Sequence, residues 1–171
     1  MDQFEQLHKK YREDIYKYLY YLSGDPYIAE DLTQDTFLGA FKSIHQFKGK
    51  SKVSTWLFQI AKYTFYDYLR NKKQRSKMVE DIKEKTDVAI EHSPEMLYSQ
   101  KEETAQLLNA LKKLKQPQQH IVILRIYNEL SYKEIGEIFN QSENWARVNF
   151  YRGKNKLGSI IERGDISEQE L

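Results

Sequence analysis

Between Leu130 and Leu157 the chain reads LSYKEIGEIFNQSENWARVNFYRGKNKL, an order of signals that few folds accommodate. Ser131 followed three residues later by Glu134 is a capping box, in which each side chain satisfies an orphan amide of a helix's first turn. Ile135, Ile138 and Phe139 give the helix that follows an apolar face. The polar run Asn140-Gln141-Ser142 interrupts that pattern, and Ser142 can cap the next helix. There Ala146, Phe150, Gly153 and Leu157 recur at i, i+4, i+7 and i+11, which predicts one buried stripe. Opposite it stand Asn144, Val148, Tyr151 and Asn155, flanked by Arg147, Arg152, Lys154 and Lys156. A short helix, a three-residue turn and a longer basic helix predict a helix-turn-helix, whose second helix can enter a DNA major groove. An amphipathic hairpin with a solvated basic face follows the same pattern, so the two readings must be separated by the rest of the chain.

Charge distribution begins to separate them. The net charge is only +2 over 171 residues, yet residues 42–75 carry nine Lys or Arg against one acid. A polyanion can use so local an excess. Residues 76–103 reverse it, with four basic residues against eight acidic ones. Cysteine is absent, which removes disulfides and thiolate metal sites and fits a reducing compartment. The opening MDQFEQLHKKYRED lacks the apolar core of a signal peptide, and no apolar run is long enough to span a bilayer. The expectation is a soluble, cytoplasmic chain. Seven glycines, three prolines and no alternating β-branched runs predict an all-α protein.

Phe4, Leu7, Tyr11, Ile15, Tyr18 and Leu22 mark a first helix by their spacing, ended by Ser23-Gly24-Asp25-Pro26. A second helix, from Tyr27 to Ile44, is expected to bury Ile28, Leu32, Phe37, Ala40, Phe41 and Ile44. Its other side carries Asp31, Gln34, Asp35 and Leu38, and no His or third acid joins the carboxylates at a spacing that serves catalysis or a metal. The basic loop HQFKGKSKV precedes the helix STWLFQIAKYTFYDYLRNKKQR, which Ser51 or Ser54 can cap. One face of that helix is Leu57, Ala61, Thr64, Phe65 and Tyr68; another is Trp56, Gln59, Tyr63, Tyr66 and Arg70. The second face joins flat rings to cations, a combination that stacks unpaired bases and tracks phosphates, although a core packing of the same rings is equally open. From Ser76 to Glu103 the apolar repeat collapses into an acidic stretch, read as a flexible linker. Leu107, Leu108, Leu111 and Leu114 resume the helical pattern, and Pro117 starts a helix containing Ile121, Val122, Leu124 and Ile126. The tail GDISEQEL reads as frayed, and all four histidines are isolated from other metal-binding side chains.

Taken together, AEDLTQDTF (29–37), STWLFQIAKYTFYDYLR (54–70) and LKKLKQPQQHIVILRIYNELSYKEIGEIF (111–139) resemble the small two-domain extracytoplasmic-function sigma factors of bacterial RNA polymerase. The resemblance implies two small helical domains joined by a flexible linker: region 2 over 1–75, a linker over 76–103, region 4 over 104–163 and a tail over 164–171. It implies that Asp31, Leu32, Gln34, Asp35 and Leu38, beside Phe37, form the docking surface for core RNA polymerase. It assigns Phe47, Lys48, Lys50, Lys52, Trp56, Gln59, Lys62, Tyr63, Tyr66 and Arg70 to opening the minus-ten DNA and holding a flipped base. It assigns Ser142, Asn144, Arg147, Val148 and Tyr151 to the minus-thirty-five element, with Arg152, Lys154 and Lys156 on phosphates.

Two motifs depart from the family's usual pattern. Lys62-Tyr63 follows Ile60-Ala61 where a basic residue and Asn are common, which leaves the preferred minus-ten base open. Trp145-Ala146-Arg147-Val148-Asn149 replaces the usual small-Val-Lys-Ser-Arg run, so the family's common minus-thirty-five sequence is not carried over. Gly153, where Ala is usual, is expected to cost up to about 1 kcal/mol if exposed.

The resemblance further implies promoter DNA and core polymerase as partners, an anti-sigma factor that is often membrane-anchored, no membrane insertion by the chain itself, and a monomer when free. It implies no enzyme activity, no metal and no cofactor. The rival readings are a stand-alone helix-turn-helix regulator with a partner- or ligand-binding N-terminal module, and a helical adaptor without DNA binding.

Overall fold

Caps set the limits of the first two helices. Asp2 accepts the Phe4 amide at the start of α1 (Gln3–Ser23), and Gly24, at φ +70°, closes it by donating its own N–H to the Tyr20 carbonyl. Asp25 then accepts the amides of Tyr27 and Ile28, with Pro26 at the first position of α2 (Pro26–Ser43). A 3₁₀ turn, Ile44–Gln46, leads into the basic loop and α3 (Val53–Lys83). The C-terminal half is built from α4 (Lys101–Lys112), α5 (Gln118–Ile126), α6 (Tyr132–Ile138) and α7 (Glu143–Gln169). This computed structural model describes residues 2–83 and 101–169, and among them there is no strand. The expected linker falls mostly outside the described residues. Helix α3 continues to Lys83, past the expected start of the linker, and α7 continues to Gln169 through Gly164, where a frayed tail was expected, since one glycine costs a helix only about 1 kcal/mol.

The N-terminal module packs α1, α2 and α3 around Ile15, Leu19, Leu22, Leu32, Phe37, Leu57, Phe58 and Phe65. Each such side chain contributes about 1.5–3 kcal/mol by leaving water. The buried face of α2 is Ala29, Leu32, Thr33, Thr36, Phe37 and Ala40. Two residues expected in that core lie outside it: Phe41 is 55% exposed and Ile44 39%. Phe41 lies beyond the buried arc, and its ring meets that of Phe4 edge-on, 5.1 Å away. Ser54 lies inside the first turn of α3, so it is not that helix's cap.

In the C-terminal module the capping box forms as predicted. The Glu134 amide donates to Ser131 Oγ at 3.1 Å, and the Ser131 amide to Glu134 Oε1 at 3.4 Å. The turn after α6 uses Asn140 at φ +53°, and Ser142 Oγ accepts the Trp145 amide at 3.0 Å. Ala146, Phe150, Gly153 and Leu157 are buried as one stripe. Gly153 is buried, so the cost expected of an exposed glycine does not arise. A Cβ there would lie 2.8 Å from Val122 Cγ2, so glycine is what lets α7 approach α5. Gly136 plays the same part in the turn, where a Cβ would lie 2.7 Å from the Gln141 carbonyl oxygen.

Helix α5 buries Ile121, Val122, Ile123 and Leu124 in succession, with Ile126 at its end 44% exposed. Burial on all sides has a simple cause: α6 and α7 cover part of α5, and α1 of the other module covers another part. Helix α4 also packs on α1, and α6 packs on α3. The two modules therefore share one continuous apolar core.

Candidate nucleic-acid and partner interfaces

Three surfaces collect the residues singled out by the sequence. On α2, Asp31, Gln34, Asp35 and Leu38 are exposed, Leu38 by 53%. Leu32 does not share that surface; at 5% exposure it lies beneath, at the floor of a groove between α2 and α3. Asp67 and Tyr68 of α3 line the same groove, together with Ile28 and Thr64. Sequence reading missed both of these contributions, although Asp67 is the one acid in the strongly basic 42–75 stretch. Asp31, Asp35 and Asp67 rim this apolar floor at one part, Lys72 and Arg75 at another, and the groove holds no reacting group. It suits a basic, partly apolar partner helix.

The second surface is split. Phe47 packs against Trp56 with ring centroids 5.1 Å apart, which anchors the basic loop to the start of α3. Lys48, Lys50 and Lys52 project into solvent beside them, and further along α3 Tyr63 and Arg70 are exposed. Gln59, Lys62 and Tyr66 instead face the C-terminal module. Gln59 Nε2 donates to the Glu137 carbonyl at 2.9 Å, and Lys62 Nζ to the Ile138 carbonyl at 2.9 Å. These are carbonyls at the C-terminal end of α6, the negative pole of its dipole. Lys62, expected on the open face, is only 5% exposed, and its ammonium also lies 4.6 Å from the Phe139 and Tyr63 ring centroids. Burial lowers its pKa from the ordinary lysine value.

Beneath Tyr66 lies His120, a residue to which the sequence assigned no role. It is fully buried and ringed by Tyr18, Phe65, Tyr66 and Phe139, with centroids 5.1–6.0 Å away. The Tyr18 hydroxyl meets its Nδ1 across the module boundary. Burial, reinforced by the Lys62 ammonium, pushes its pKa down to about 3 and keeps it neutral. No local signal marks this residue, because its partner is 102 positions away.

The third surface is intact. Ser142, Asn144, Arg147, Val148, Tyr151, Arg152, Lys154 and Lys156 are all exposed, on the side of α7 away from its buried stripe. Arg147 is held by Glu143 at 3.4 Å and by the Tyr132 ring, 5.1 Å from its guanidinium carbon. The unusual residues of this helix turn inward. Trp145 is half-buried against Phe139, and Asn149 Nδ2 bonds back to the Trp145 carbonyl at 2.9 Å. Among the described residues no group of three or more His, Cys, Asp or Glu is arranged to hold a metal, and no helix is long and apolar enough to cross a membrane.

Residues 7–75 match the family described as Sigma-70 region 2, and residues 104–157 match Sigma-70, region 4. The chain is similar to RNA polymerase sigma factor YlaC of Bacillus subtilis, 33% identical over 98% of this chain and 97% of that protein. It is also similar to ECF RNA polymerase sigma factor SigM of the same organism, 31% identical over 94% and 96%. Its fold matches the sigma factor RpoE of Bartonella quintana, solved in complex with the anti-sigma factor NepR (TM-score 0.72, 23% identity, 95% and 98% covered). It also matches CnrH, solved with the cytosolic domain of CnrY (TM-score 0.71, 18% identity, 94% and 88% covered).

Proposed function

The chain belongs to the extracytoplasmic-function sigma factors of RNA polymerase, and we propose from that premise how its surfaces divide the work of promoter-specific initiation. The acidic α2 surface with its α3 groove docks core polymerase through Asp31, Gln34, Asp35 and Leu38, with Leu32 supporting them from below and Asp67 and Tyr68 extending the contact. The basic loop and the open side of α3 open the minus-ten region: Phe47, Trp56 and Tyr63 offer rings to unpaired bases, while Lys48, Lys50, Lys52 and Arg70 follow the phosphates, and Gln59, Lys62 and Tyr66 are engaged by the C-terminal module instead. Binding energy spent on the unpaired strand shifts the duplex towards the open state, without ATP. Helix α7 reads the minus-thirty-five element with Asn144, Arg147, Val148 and Tyr151, beside Ser142, while Arg152, Lys154 and Lys156 hold the backbone.

The observation that carries this reading is the two-sided character of α7. One stripe is buried, and every candidate contact on the other side is exposed. A match over both modules does not favour the stand-alone regulator. The family is not an enzyme class, and the chain works in the cytoplasm with the polymerase. We read region 2 as 1–75 and region 4 as 104–163. The exposed apolar residues Leu38 and Phe41 give an anti-sigma factor a surface to cover, and the similarly folded RpoE was solved with the anti-sigma factor NepR. Run-off transcription from fragmented genomic DNA with purified core polymerase tests the proposal. New discrete transcripts that depend on this chain are expected. Absence of both transcripts and polymerase binding would overturn it.

A further inference from the structure

Arg147 is the one cation among residues 145–149, so what aims its guanidinium bears on what α7 can read. Its contact to Glu143, one turn earlier, is long at 3.4 Å, and the two side chains are 44% and 55% exposed. An exposed pair of that kind contributes little and leaves both chains loosely held. A long side chain free in solvent must be ordered as it meets DNA, and that ordering is subtracted from the affinity. The structure supplies a second restraint. The guanidinium carbon of Arg147 lies over the Tyr132 ring, 5.1 Å from its centroid. A ring attracts the charge without accepting hydrogen bonds as an oxygen does, so the planar fork of donors stays available. In the major groove guanine offers such a fork two acceptors, O6 and N7. We propose that Tyr132 is a positioning residue for base reading, its ring holding the Arg147 guanidinium ready for a guanine edge in the minus-thirty-five element. The inference rests on the assignment of Arg147 to a base edge.

Tyr132 is itself fixed from several directions. It is the first residue of α6, directly after the Ser131 cap, so the capping box sets the backbone from which the ring projects. The ring packs 5.7 Å from that of Phe150, which belongs to the buried stripe of α7. Arg125 of α5 lies over the same ring, with its guanidinium carbon 4.4 Å from the centroid. Its Nη1 is tied to the Leu130 carbonyl at 2.9 Å. The ring therefore stands where α5, α6 and α7 meet, with one anchored cation and one reading cation against it. A half-buried tyrosine has only two side-chain torsions to fix, which makes it a stiffer support than a carboxylate on a flexible stem. The hydroxyl has no part in this, so phenylalanine should serve as well.

The test uses holoenzyme assembled from the full chain and core polymerase. The probe is a duplex library built from one promoter mapped by run-off transcription, with its minus-thirty-five element randomised. Sequencing bound and unbound duplexes gives the preference at each position separately from overall affinity. Arg147→Ala should cut a guanine preference at a particular position by about fivefold to a hundredfold. Tyr132→Leu should cut that same preference by about twofold to fivefold, the worth of an exposed cation–π contact, and leave the other positions as in the native chain. Tyr132→Phe should keep the native preference. In the Arg147→Ala background Tyr132→Leu should add nothing at that position. Native preferences in Tyr132→Leu, while Arg147→Ala relaxes one, would overturn the positioning role alone. A loss in Tyr132→Phe equal to that in Tyr132→Leu would overturn it too, as would a change spread over every position. Proton NMR of the free chain gives a readout that survives a Tyr132→Leu protein too damaged to bind. The Arg147 side-chain resonances should be displaced by the Tyr132 ring current in the native and Tyr132→Phe chains, and undisplaced resonances would refute the stack. If Arg147→Ala instead weakens every sequence alike, the base-edge assignment has failed, and the role of Tyr132 falls with it.

Discussion

Alanine at Gly136 puts a methyl group into the helix-turn-helix where the backbone of the turn already stands. Its Cβ would lie 2.7 Å from the Gln141 oxygen and 2.9 Å from the Ser142 oxygen. These are main-chain atoms, pinned by the Gln141 amide's bond to the Gly136 carbonyl at 2.8 Å, so they cannot swing aside as a flexible side chain can. Replacing Gly by Ala within a helix contributes up to about 1 kcal/mol in propensity. Forcing extra volume into a filled site costs about 1–3 kcal/mol, and rigid neighbours place this case in the upper part of that range. The net expectation is a loss of about 1–2 kcal/mol. For a chain of this size that lowers Tm by about 2–8 °C. Gly158 in α7 is the matched control, because a Cβ there meets nothing within 4 Å. Gly158→Ala keeps the propensity gain without the clash and should raise Tm by up to about 4 °C. Both changes lie in the same module, so thermal melts of the two full-length variants compare like with like. A Gly136→Ala melt at or above that of Gly158→Ala would refute the close-approach reasoning.

Three further outcomes are expected. Asp35→Arg reverses charge on the exposed α2 rim and should abolish capture by core polymerase while the circular-dichroism melt stays unchanged; undiminished capture would remove the docking assignment. Arg147→Ala, tested by holoenzyme binding to a panel of single-base promoter variants, should cost about 1–3 kcal/mol at particular minus-thirty-five positions and relax the preference there. A uniform loss on every sequence would make Arg147 a phosphate contact. His120, neutral in the fold with its pKa pushed down to about 3, takes up a proton on unfolding at any pH between about 3 and 6.5. Stability should therefore fall as pH drops through 6.5, by about 1.6 kcal/mol between pH 6.5 and pH 5, the slope approaching about 1.4 kcal/mol per unit. Urea titrations should show that loss in the native chain and a flatter profile in His120→Gln, and equal profiles would exclude His120 as the cause.

What the sequence by itself determined is everything carried by short-range pattern. The capping box at Ser131 and Glu134, the Asp25-Pro26 start, the Ala146-to-Leu157 stripe and the exposed basic side of α7 depend on neighbours within a few turns. The physics of caps and periodicity is local, so these features were legible, and with them the family. Only the tertiary structure decided which of two identical-looking surfaces meets water. Lys62 and Tyr63 stand side by side on a basic aromatic helix, yet Lys62 is buried and Tyr63 is 55% exposed. The partners of Gln59 and Lys62 are backbone carbonyls 78 and 76 positions away, and a backbone carbonyl leaves no mark in the sequence. Gly136 and Gly153 were obscure for a related reason. A glycine chosen for close approach differs from one that merely weakens a helix only in what stands opposite it, and packing alone brings that neighbour into place.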